Sequence, residues 1–250
     1  MKKTGILFIL GAIGVFVPYT ILTIIFQYPD ILREPAGTIL TKFQDGGTPL
    51  ILTWWAFAIL GLPLVVAYSR TGTLLRKTHP QLSWATTIGI TGLIAQMIGL
   101  LRWVFVVPVL AQDYTTGDAI VQQSSITAFK MVHQFGGVLL GEYIGQLFTI
   151  IWTIAMSWSM LKAGFIPRWI TVLGYIASLI YLLAQTELFQ TVIPSFPVVG
   201  FAGFLGSTLW LVWLVSVGVC LMRERSVEPA RLISTAHKHN PKMWLFGLYR

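Results

Sequence analysis

Six apolar runs, each long enough to cross a bilayer as a helix, constrain this chain more than any other feature. A membrane span needs about 20 mostly apolar residues. The segments 5–26, 49–69, 85–111, 131–161, 169–193 and 200–222 meet that requirement. They are continuous rather than alternating, which argues against a β-barrel. Helices then remain, because only they satisfy every backbone group within one segment in hydrocarbon. The fold class expected is therefore all-α: an integral membrane bundle of six transmembrane helices at 1–222, followed by a basic tail at 223–250. Charged residues are only 10% of the chain, against about 25% in soluble domains. That deficit excludes a soluble enzyme, a disordered regulator and, with the single cysteine Cys220, a disulfide scaffold. Lys2 and Lys3 precede a run too long for a signal-peptide core, so the first segment reads as an uncleaved span.

The formal net charge of +8 reflects topology rather than nucleic-acid binding. With the N-terminus inside, Lys and Arg crowd the connections that would be cytoplasmic. Only Arg33, Lys42 and Lys130 fall outside, and Arg102 lies within a span. The positive-inside rule then gives an N-in/C-in protein. The partners expected are the lipid bilayer and anionic headgroups at the cytoplasmic face, which the tail with its terminal MWLFGLYR would meet. Trp84 and Trp169 are expected at the interfaces, whereas Trp54, Trp55, Trp210 and Trp213 are expected to pack inside.

Between the spans, Pro35 and Gly46-Gly47 frame a short amphipathic helix with Ala36, Ile39, Leu40 and Phe43 on one face, expected on the outer surface. It would act as a lid over a cavity or simply close the bundle. The second outer connection, 112–130, is polar. It is expected to be a loop with a turn of helix capped by Asp118 or Ser124.

Four ionisable residues fall inside or at the rim of the hydrocarbon: Arg102, His133, Glu142 and Glu187. Each would cost about 2.5–3.5 kcal/mol facing lipid, so they should turn inward. By helical rise, Arg102 lies ~12 Å and Glu142 ~17 Å below the outer ends of adjoining spans. An Arg102–Glu142 ion pair is therefore expected. With Gln146 one turn below Glu142, and with Glu187 and His133 nearby, this gives a candidate polar pocket between spans three, four and five. It would serve as a binding site or proton relay, or as a structural network that fixes helix register. Gly137, Gly141 and Gly145 recur every four residues, and such a stripe is expected to be a close-packing face.

No intramembrane lysine, paired haem histidines, zinc signature or phosphate loop is present, and no enzyme class, cofactor or metal site is indicated. The open readings are a pocket for a small molecule or membrane component, a proton-coupled transporter using Arg102 and Glu142, and a structural or assembly partner of another membrane protein.

The stretches YPDIL (28–32), HQFGGVLLGEYIGQLF (133–148), PRWITVLGYIASLIYLLAQTELF (167–189) and GFAGFLGSTLWLVWL (200–214) resemble an uncharacterised family of bacterial polytopic membrane proteins, one of the domain-of-unknown-function families. The resemblance covers about 27–222. It implies a multi-pass bacterial inner-membrane protein and assigns no residue a role.

Overall fold

Apolar composition along each run sets the architecture, and glycines set how closely the helices approach. A computed structural model describes residues 1–76 and 78–223. Lys77 and the tail from 224 onward lie outside the described residues, and with them the expected tail–headgroup contact.

Among the described residues the chain is helical and has no strand. Its helices are α1 (Lys2–Phe26), α2 (Ala36–Ile59), α3 (Leu62–Leu75), α4 (Ser83–Phe105), α5 (Val107–Thr116), α6 (Ala119–Val132), α7 (Gly145–Lys162), α8 (Arg168–Gln190) and α9 (Ala202–Arg223). A π-helix, His133–Ile144, joins α6 to α7. Six helical stretches are long and apolar enough to cross a membrane. Large apolar side chains such as Ile24, Phe105 and Trp169 point outward, as expected of a bundle solvated by lipid rather than water.

The start of α1 packs on the end of α9, with Gly5 against Gly218 and Met222. We call that the near end and its opposite the far end. A core at the near end gathers Phe8, Tyr68, Trp152 and Trp213. A second core, which includes Phe26, Phe43, Trp54 and Trp103, fills the far end. Trp54 and Trp103 stack there at 4.8 Å between ring centroids.

Several expectations require correction. Ala36, Ile39, Leu40 and Phe43 do share a face, but all four are buried in the far-end core instead of lying on the surface. The helix they belong to runs into the second span. It bends at Gly47, whose φ of 53° favours glycine. The connection at 112–130 is almost wholly helical, in α5 and α6. Asp118 caps α6, its Oδ1 accepting from the amides of Ile120 and Val121 at 3.0 Å each. Its polar composition concealed helices that do not need to be apolar throughout. Trp55 is 46% exposed, whereas Trp54, Trp210 and Trp213 are buried.

Candidate functional site

Close approach of α4 to the π-helix builds the region. Gly92 and Gly99 of α4 face Gly145 and Gly141, and a Cβ on Gly99 would lie 2.7 Å from the Gly141 Cα. One turn toward the far end, Gly137 leaves room for the Arg102 side chain, against which any Cβ at Gly137 would collide. The three glycines Gly137, Gly141 and Gly145 therefore meet Arg102, Gly99 and Gln96, respectively.

Arg102, in the last turn of α4, is 8% exposed. Its Nη1 donates to the Gly99 carbonyl, and its Nη2 lies 3.4 Å from His133 Nδ1. A guanidinium only donates, so His133 Nδ1 accepts and the ring proton sits on Nε2. Arg102 Nε is enclosed and has no hydrogen-bond partner.

The expected Arg102–Glu142 ion pair does not form. No Arg102 nitrogen comes within 4.0 Å of a Glu142 oxygen, although the two charges interact through space. No hydrogen bond reaches the Glu142 carboxylate from the described residues, and Glu142 remains partly accessible. The π-helix explains the arrangement. His133 and Glu142 are nine residues apart, which puts them on opposite sides of an α-helix. With i→i+5 bonding and about 4.4 residues per turn, the same spacing brings them to one side, toward Arg102.

Glu187, in the last turn of α8, turns away from the interior. It accepts from Arg33 Nη2 at 2.5 Å and Nε at 3.0 Å. Arg33 also donates to Asp30 at 2.6 Å, so the connection after α1 is tied to α8. The hydrogen bond that Arg33 donates to Glu187 holds its guanidinium above its ordinary value. Deeper, Gln146 accepts from Gln185 Nε2 at 2.6 Å, and Gln185 Oε1 is enclosed without a donor.

Sequence reasoning missed Tyr28 and Tyr181. Burial pushes the Tyr28 phenol well above its usual range. The Glu142 carboxylate acts in the same direction and Arg102 against it, with smaller upward contributions from Tyr19 and Tyr181. Tyr28 thus shares its surroundings with both buried charges. Its ring sits edge-on to Tyr19 at 5.6 Å and to Trp54 at 5.1 Å. The signal available was YPDIL at the mouth of the first connection, but nothing in the spacing said which span it would cover.

The described residues contain no group of three or more His, Cys, Asp or Glu able to hold a metal ion. A surface groove of about 630 Å³ lies along α6, lined by Ile120, Ser124, Thr127 and Met131, away from the buried charges.

The domain of unknown function DUF4386 matches residues 3–218. The chain belongs to this family. The DUF4386 match reaches into all six crossing stretches, stopping five residues short of the end of α9, and takes in every residue of the polar cluster, which is therefore part of the family domain rather than an appendage to it. No curated protein and no solved structure is measurably similar to the chain.

Proposed function

We propose that this DUF4386 protein binds a small polar molecule in a cleft between α4, the π-helix and α8, roofed by the connection carrying Tyr28 and Arg33. The observation that carries the reading is the state of Arg102 and Glu142. Both lie in membrane-crossing stretches and interact at a distance, yet neither has an oppositely charged bonding partner. Ionisable groups at such depth are costly and usually mark a ligand or ion path. A purely structural pair would gain most by closing up. Glu142, Tyr28 and Tyr181 also keep partial accessibility while surrounded by the bundle, which fits the wall of a cleft.

The near end carries Lys2, Lys3, Arg70, Arg76, Lys162, Arg168 and Arg223. The positive-inside rule makes it cytoplasmic, so the cleft opens outward and both termini lie inside. The bacterial plasma membrane is the location we assign. Anionic headgroups would meet the basic near end.

Substituted-cysteine labelling in proteoliposomes tests the cleft. In a Cys220→Ala background, Tyr181→Cys should react with a membrane-impermeant charged thiol reagent. Leu179→Cys, which is 61% exposed on the outer face of α8, should not react. A silent Tyr181→Cys overturns the cleft.

A carrier is the second reading, favoured by the π-helix, since π turns recur at functional sites. It requires Glu142-dependent flux in the same vesicles.

A further inference from the structure

We infer that the ligand is a zwitterion: a small molecule whose anionic group meets Arg102 and whose cationic group meets Glu142. The inference rests on the cleft proposed above and deepens it by naming the chemical class of the ligand.

Arg102 supplies one positive charge and Glu142 one negative. His133 uses Nδ1 as an acceptor, so as a neutral ring it adds none. At the mouth, Arg33 pairs with Glu187 and also with Asp30, whose exposed side chain carries the surplus negative charge away from the interior. A ligand with a single charge would satisfy one buried group and leave the other uncompensated. A ligand with two opposite charges completes both.

The geometry keeps the protein's own charges from doing this. Arg102 is held by the Gly99 carbonyl and by His133, and lies against Gly137. Glu142 sits further along the same side of the π-helix without a donor. Arg102 Nε is an unused donor, suited to a carboxylate. The Glu142 carboxylate accepts from no donor among the described residues and suits an ammonium group. Arg102 Nε is enclosed, so a side-chain rotation accompanies binding.

The test is calorimetric titration of the detergent-purified full chain with glycine, β-alanine and γ-aminobutyrate, whose opposite charges are progressively farther apart. Butanoate and butylamine serve as single-charge counterparts. One amino acid of the series should bind roughly tenfold or more tightly than either single-charge compound, because each of those leaves a buried group unpaired. In Glu142→Gln the preference over butanoate should collapse toward unity. Should that variant not fold, the wild-type series decides alone. Equal binding of butanoate or butylamine overturns the zwitterion and leaves the cleft standing. No binding by any compound, with Tyr181→Cys still labelled from water, overturns the zwitterion alone. Loss of labelling removes the cleft as well.

Discussion

Gly99 of α4 and Gly141 of the π-helix meet backbone to backbone, so closely that a methyl group on Gly99 would sit 2.7 Å from the Gly141 Cα. Gly99→Ala should therefore cost about 1–3 kcal/mol through overpacking. Gly141→Ala, whose Cβ would have its nearest contact at 3.2 Å, should cost less. Gly203→Ala meets nothing within 4 Å and should stay within about 0.5 kcal/mol of the parent. Thermal unfolding in one detergent checks the order. Equal losses at all three positions would refute the contact.

Arg102→Met separates stability from binding. The arginine has an enclosed donor without a partner, but its replacement also removes the hydrogen bonds to the Gly99 carbonyl and to His133. The melting temperature should fall modestly, by the equivalent of about 1–3 kcal/mol, while amino-acid binding disappears. A large fall in melting temperature would identify Arg102 as a structural strut.

Glu187→Gln should change stability by no more than about 1 kcal/mol, because the pair with Arg33 is partly exposed and open to screening. The side chains of Arg33 and Glu187 are 54% and 34% exposed. Comparing melts at low and high salt checks this, since the parent should approach the variant as salt rises. A loss several times larger would mean that this tie holds the bundle together.

Asp118→Ala removes the acceptor for two α6 amides and should cost about 1 kcal/mol, with Asp118→Asn retaining most of it. Amide hydrogen exchange at Ile120 and Val121 should accelerate in the alanine variant. Unchanged exchange would show that the cap is dispensable.

The crossing helices were legible because hydrocarbon imposes a composition on every residue that traverses it. The bend at Gly47 and the helices either side of Asp118 were not, since outside hydrocarbon a polar helix and a polar loop use the same letters. In the polar cluster, counting rise along the axis put Arg102 near Glu142 in depth. Rotation around the axis was the quantity the sequence concealed. An α-helical wheel assigns His133 and Glu142 to different sides, and only the π geometry unites them. Tyr28 and Arg33 were hidden for another reason: Glu142, whose charge Tyr28 senses, and Glu187, which Arg33 bonds, lie more than a hundred residues away, and no local pattern announces such a meeting.

The π-helix makes this part of the molecule sensitive to residue number rather than residue type. Deleting a single position between 133 and 144 would let the stretch relax toward ordinary α winding and swing Glu142 off the side that His133 and Arg102 occupy. Conservative exchanges along the same stretch would leave that phase intact. Inherited length variation here would rearrange the polar cluster, even where every neighbouring letter is preserved.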